Sequence, residues 1–443
     1  MRSAVIVRGV NSCLSTLSVE PKYRSTKLSS SMPGSPARPI LAYWRGMRGA
    51  LTLAVLSAFL LIAFQPAHAQ TETVLYSFGS QAGDGYGPWA GLIRIPIGEL
   101  YGTTVGGGAY GYGTVFRVPS AGQEIVLYNF GTQSGDGAYP YAGVIMDKKS
   151  NLYGTTWSGG ADNAGTVFKL TGMLEETVLY SFCSQEGCAD GAYPYAGVIM
   201  DKKSNLYGTT RSGGADNNGT VFKVTPTGAE TVLYSFCSQP GCSDGANPLA
   251  GVIMDTKGNL YGTTPLGGAN NNGTVFKLSS TGGETVLYSF CSQSGCSDGS
   301  NPNAGVIMDK KGNLYGTTSG GGYGYGTVFK LSSTGTETVL YSFTNGYTDG
   351  QEPYAGPVMG KKGNLYGASS YGPSGNYGAL FELSPPRKKG GAWTFTSLHA
   401  FNSGSGDGLE PFGTPILDGE GNVYGTTFQG GAYGYGTVWK VTP

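Results

Sequence analysis

Histidine is almost missing from this chain: there are two in 443 residues, His68 and His399. With so few, a Ser-His-Asp triad is barely tenable and a histidine-rich metal centre is excluded. Charge is also sparse, with 28 basic and 28 acidic residues, and no basic tract interleaves with aromatics. Long apolar runs are absent save one, Ala50 to Phe64, preceded by Arg45 and Arg48 and followed by Ala67-His68-Ala69. That pattern predicts a secretory signal peptide over 47–69 and a mature start at Gln70. The run is shorter than the roughly 20 apolar residues a membrane helix needs, and no later segment is apolar enough to span a bilayer. Met47 directly precedes the signal, so residues 1–46 are expected to be an over-extended gene start. Beyond residue 69, 20 basic and 27 acidic residues remain, a net charge of −7. Such a surface repels phosphate backbones, which argues against a nucleic-acid partner.

What the chain has in abundance is glycine, 77 residues, and tyrosine, 30. Both belong to one unit repeated seven times, opening at Glu72, Glu124, Glu176, Glu230, Glu284, Glu337 and, degenerately, Ala392. The clearest copy runs Glu284-Thr-Val-Leu-Tyr-Ser-Phe290, then the loop Cys291 to Gly299, then Ala304-Gly-Val-Ile-Met-Asp309, Asn313-Leu-Tyr-Gly-Thr-Thr318 and Gly326-Thr-Val-Phe-Lys-Leu331. Four short runs of β-branched and aromatic residues, bounded by Gly, Asn, Asp and Ser, read as four strands. They are apolar on both faces, as a sheet sandwiched between two neighbours requires. The fold class predicted is all-β, a seven-bladed β-propeller of four-stranded blades over 70–443. If Ala-Gly-Val-Ile-Met-Asp is the innermost strand, the last blade lacks its outer strand, and residues 72–78 are expected to supply it and close the ring.

The pattern E-T-V-L-Y-S-F, D-G-x-x-P-x-A-G, G-N-L-Y-G-T-T and G-T-V-F-K-L resembles the GloVer (Gloeo_Verruco) tandem repeats of exported bacterial proteins, over essentially the whole chain after the leader. The resemblance implies an extracellular or cell-envelope protein, often with a sorting anchor, and carries no activity. No sorting motif follows Pro443, which argues against anchoring here.

Six of the seven cysteines form three C-x4-C pairs: Cys183/Cys188, Cys237/Cys242 and Cys291/Cys296. Repeats without the pair have a loop two residues shorter, as in Gly79 to Gly85, so both cysteines come and go with the loop extension. In an exported protein three local disulfides are expected; a zinc site would need four ligands, and none is predicted.

Chain direction puts the inter-blade loops and the Gly-Gly-Ala loops on one face and the Lys-Lys turns on the other. On the first face each repeat places an aspartate before glycine: Asp84, Asp136, Asp190, Asp244, Asp298, Asp349 and Asp407. Each either caps its own turn or joins a carboxylate ring at the channel mouth, where Ca²⁺ is the one ion it could hold. No other cofactor is implied. The same face carries Tyr110, Tyr112, Tyr323, Tyr325, Tyr433 and Tyr435, whose flat bodies and polar tips suit either packing or stacking on sugar rings. The reading is a non-catalytic binding or scaffold module, monomeric, for an extracellular carbohydrate or protein ligand. The alternative is an extracellular polysaccharide lyase or glycoside hydrolase using loop-face carboxylates. Near-identical repeat environments give no reason for one carboxylate's pKa to rise, so a catalytic blade should stand out by divergence. His399, in the tyrosine position of the outer strand in repeat 7, reads as packing.

Overall fold

The computed structural model describes residues 71–372, 377–388, 390–402, 404 and 406–443. The expected extension (1–46) and signal peptide (47–69) lie outside these residues. Seven four-stranded antiparallel sheets form the seven blades of a β-propeller. Blade 4 is representative: Ile253–Met254 is innermost, followed outward by Leu260–Thr264, Thr274–Leu278 and Glu284–Ser289. Blades 1, 2, 3, 5 and 6 repeat this order, beginning at Ile93, Ile145, Ile199, Ile307 and Val358. Among the described residues the helical content is three single 3₁₀ turns, one in each cysteine-bearing loop, and no helix is long and apolar enough to cross a membrane. Those loops hold the disulfides Cys183–Cys188, Cys237–Cys242 and Cys291–Cys296.

Blade 7 closes the ring. Its inner three strands, Ile416–Leu417, Val423–Thr427 and Thr437–Thr442, are completed by Thr71–Ser77 in antiparallel register, with Thr71 opposite Thr442 and Ser77 opposite Thr437. An exposed edge, which would template aggregation, is thereby paired.

The repeat motifs state how one blade holds the next. The phenylalanine that follows each outer strand meets an aromatic ring of the third strand in the next blade, edge-on to phenylalanine at six joints, as in Phe236–Phe276 and Phe290–Phe329, both at 5.0 Å, and tilted against Trp439 at the seventh. Glycine in Leu-Tyr-Gly-Thr-Thr makes room for that ring: a Cβ on Gly262 would stand 2.6 Å from Phe276 Cζ. The first threonine of Gly-Thr-Thr donates across to the next blade's Ala-Gly turn, Thr263 Oγ1 to the Ala304 carbonyl at 2.8 Å, and Thr426 does the same to Ala90 at the closure. On the lysine-rich face, each Asp-x-x-x-Asn-x-Tyr turn is fixed by one carboxylate. Asp309 accepts from the Lys311 and Asn313 amides, the Asn313 side chain and the Tyr315 hydroxyl.

Candidate functional site

The seven aspartates before glycine are buried, or nearly so, inside their own loops. Asp190 accepts from the Tyr180 hydroxyl at 2.7 Å and from the Ser184 amide and hydroxyl at 2.9 Å; Asp244 and Asp298 repeat the pattern. Asp84, Asp136 and Asp349 take the hydroxyl of Tyr76, Tyr128 and Tyr341 together with loop amides. In the last copy His399 replaces the tyrosine, and its Nε2 meets Asp407 at 3.1 Å. Each carboxylate thus ties the end of an outer strand to the loop that leaves it. Asp190→Ala removes a buried acceptor that takes the Tyr180 hydroxyl and three loop donors, the Ser184 amide and hydroxyl and the Gln185 amide. It should cost about 2–3 kcal/mol of stability, read by thermal denaturation, against a near-neutral Tyr180→Phe.

Of the six tyrosines on the Gly-Tyr-Gly loops, Tyr110, Tyr323 and Tyr433 are exposed. Tyr112 and Tyr435 are exposed but lie over Gly131 and Gly79, with Tyr112 edge-on to Tyr139 at 5.7 Å and Tyr435 tilted against Tyr86 at 5.9 Å. Tyr325 packs against the hydrophobic cluster between blades 5 and 6. None of the six lines the central channel.

The channel mouth is built by other positions. Its cavity, about 350 Å³, is lined in every blade by the residue after proline in D-G-x-x-P-x-A-G: Trp89, Tyr141, Tyr195, Leu249, Asn303, Tyr354 and Phe412. Trp89 stacks on Phe412 at 3.9 Å and 12°, and Tyr141 stacks on Tyr195 at 4.9 Å. Trp89 reaches Tyr141 and Tyr195 edge-on, while Phe412 meets Tyr354 and Tyr371 at 5.8 and 5.6 Å. An aromatic floor therefore runs from blade 6 through blade 7 to blade 3. Blades 4 and 5 break it with Leu249 and Asn303, beside a second hollow lined by Asn247, Asn301 and Ser319. Trp157, after Gly-Thr-Thr in blade 2, extends the floor toward Tyr193, and the Arg211 guanidinium lies 5.6 Å from the Trp157 ring centre.

The residue before that proline is, blade by blade, Gly87, Tyr139, Tyr193, Asn247, Asn301, Glu352 and Glu410, of which Asn247 and Asn301 line the second hollow. All seven have positive φ, between 53° and 65°, and six are not glycine. Their amides donate to the preceding blade, as Asn247 does to the Asn218 carbonyl at 2.8 Å. A side chain at such a backbone costs on the order of 1 kcal/mol relative to glycine. Its retention at six of seven sites is a reason to look for function there. Burial raises the Tyr195 hydroxyl pKa, with Tyr141 adding to it. Burial also pushes Tyr371 up to about 12, followed by the charges of Glu410 and Glu352 and the neighbouring Tyr354. Burial raises Glu410 itself.

The repeat architecture and these motifs meet a known family model, the Gloeobacter/Verrucomicrobia repeat, three times, over residues 60–199, 184–323 and 305–443. The chain belongs to that repeat family. No curated protein matches it. Among solved structures, a candidate gluconolactonase is 12% identical, with 86% of this chain and 94% of that one covered and a TM-score of 0.38. Puromycin hydrolase is 11% identical, over 79% of this chain and 55% of its own, with a TM-score of 0.41. At that distance neither activity is carried over to this repeat protein.

Proposed function

We propose that the protein is a secreted, monomeric, non-catalytic binding module that holds a carbohydrate at the mouth of its channel. The observation that carries this is the concentration of sequence change at the mouth. Within D-G-x-x-P-x-A-G the framework residues recur in blades 1 to 6, with Gly413-Thr414 in place of Ala-Gly in blade 7, while all three x positions change and the floor position after proline runs through Trp, Tyr, Leu, Asn and Phe. The aromatic floor offers ring area for packing against sugars. The Asn247, Asn301 and Asn303 side chains beside it, which give one amide hydrogen each to the Arg211 carbonyl, the Pro265 carbonyl and Ser319 Oγ respectively, keep their remaining hydrogen and carbonyl oxygen for hydroxyls. Three disulfides and the repeat family are consistent with an oxidising, extracellular setting.

The test is glycan-array screening of the full chain followed by calorimetry on the best binder. Trp89→Ala and Tyr141→Ala should each weaken binding about tenfold or more, a loss of about 1.4 kcal/mol or more, with the fold retained by circular dichroism. Binding unmoved by both changes overturns the site, and release of shorter oligosaccharides overturns the non-catalytic reading.

A further inference from the structure

A second variable position also reaches the mouth. The residue after Gly-Thr-Thr changes from blade to blade, and blades 3, 4 and 5 place Arg211, Pro265 and Ser319 there, all three lining the second hollow. This hollow, about 420 Å³, shares Leu249, Asn303 and Tyr354 with the channel-mouth cavity, so it opens beside the aromatic floor. Arg211 is the single charged side chain lining either cavity.

That arginine is held in place but has no counter-charge. Its amide donates to the Tyr193 carbonyl at 3.1 Å, and its carbonyl accepts from the Asn247 side chain at 3.0 Å. Its guanidinium lies over the Trp157 ring, which is itself edge-on to Tyr195 of the floor at 5.6 Å. Among the described residues the ion pairs are Arg117–Glu99 and His399–Asp407, so no protein carboxylate pairs with Arg211.

A ring takes the face of a guanidinium and leaves its in-plane N–H donors for another partner. Two of them in parallel match the two oxygens of a carboxylate. Beside this fork, Asn247, Asn301 and Asn303 each keep an amide hydrogen and a carbonyl oxygen, a donor and an acceptor for ring hydroxyls. The set therefore suits a sugar that carries hydroxyls and one carboxylate. A neutral sugar leaves the guanidinium unpaired, and a densely charged anion is repelled by the net −7 of the chain after residue 69.

We propose that the second hollow is a subsite for an acidic sugar, a hexuronate whose carboxylate pairs with Arg211 and whose hydroxyls meet the asparagines while neighbouring rings of the same glycan lie over the aromatic floor. This rests on the carbohydrate reading above and specifies it.

The experiment titrates the full chain with hexamers of galacturonate, glucuronate and mannuronate and, separately, with their methyl esters, which have the same rings without the charge. At least one uronate should bind about tenfold tighter than its ester, with the gap shrinking as salt is added. In Arg211→Gln each acid and its ester should bind alike. Arg211→Ser, the residue that blade 5 carries at this position, repeats the test if glutamine disturbs the fold. Equal affinity for acid and ester, or a preference that survives both variants, overturns this inference while leaving the carbohydrate reading intact. Tighter binding of a sulfated galactose hexamer than of every uronate overturns the carboxylate assignment. Binding of no uronate overturns this inference too, and the array then judges the broader reading by itself.

Discussion

Raising the pH from about 5 to 8 should lower the melting temperature of this propeller by about 6 °C, a loss on the order of 5 kcal/mol in all. The cause is the first residue of Glu-Thr-Val-Leu-Tyr-Ser-Phe. Burial, then the negative charge of Asp84, pushes Glu124 up to about 8, with the Gln81 amide opposing. Burial, then Asp136, Asp190, Asp244 and Asp298 in turn, pushes Glu176, Glu230, Glu284 and Glu337 up to about 7. Burial also raises Glu72, with His399 opposing and Asp407 adding. Each of the six has a buried carboxylate oxygen without a hydrogen-bond partner.

A carboxyl group that holds its proton longer in the folded than in the unfolded chain contributes fully below the unfolded pKa, near 4.5. That contribution is lost as pH rises through the folded value. Only Glu124 is almost fully buried. Solvent screening at the others reduces the loss to on the order of 1 kcal/mol per group. At the turns of the opposite face the sign reverses. Burial works against the charge of Asp147, Asp201, Asp255, Asp309 and Asp418, but hydrogen bonds from the turn outweigh it and lower their pKa values. Their contribution is present above about 3.8 and disappears in acid. The stability maximum should therefore fall near pH 4–5. Replacing Glu124, Glu176, Glu230, Glu284 and Glu337 by glutamine should flatten the alkaline limb. A melting temperature that is level from pH 5 to 8, or that rises, rules the mechanism out.

Deleting residues 71–78 should be as damaging. The strand Thr71–Ser77 and the Phe78 that follows remove from water Tyr76 and Phe78, which pack with Leu92, Phe116 and Val438. Losing two such side chains costs about 3–6 kcal/mol before the freed edge is counted, and a fall of about 5 °C or more is expected. The deletion leaves the backbone groups of Thr437–Thr442 unpaired at an open edge, so aggregation should accompany it, and a synthetic peptide of residues 71–78 added in trans should restore part of the lost stability. An unchanged melting temperature would mean that closure by this strand contributes nothing to the fold.

The framework was legible because propeller repeats state their strands by period and their turns by composition. Asn313-Leu-Tyr-Gly-Thr-Thr318 reads as a strand from residue type alone, and the missing outer strand of blade 7 follows from counting. What the sequence did not disclose was direction. Nothing in Asp190-Gly191 says whether the carboxylate points to the channel or back to Tyr180, because the deciding partner lies ten residues earlier, on the outer strand that the loop leaves. The mouth was hidden for a related reason. Trp89, Tyr141 and Phe412 differ in type, and comparing repeats for what they share passes over them. The available signal was the reverse, a position that changes inside a motif that does not. The Gly-Tyr-Gly loops drew attention by being conspicuous, yet their tyrosines lie outside the cavity.

The stitches repeated between blades use main-chain groups, Phe pairs and Thr hydroxyls, to which Asn247, Asn301 and the Trp89–Phe412 stack add joints of their own. A blade is in this sense a cassette with a standard connector and a private payload. Moving the blade 6 cassette into the place of blade 4 would put a tyrosine where Leu249 now breaks the aromatic floor, while the Phe and Thr joints stay as they are. Unequal recombination between near-identical repeats offers the same route in nature, changing what the opening attracts while the ring that carries it stays the same.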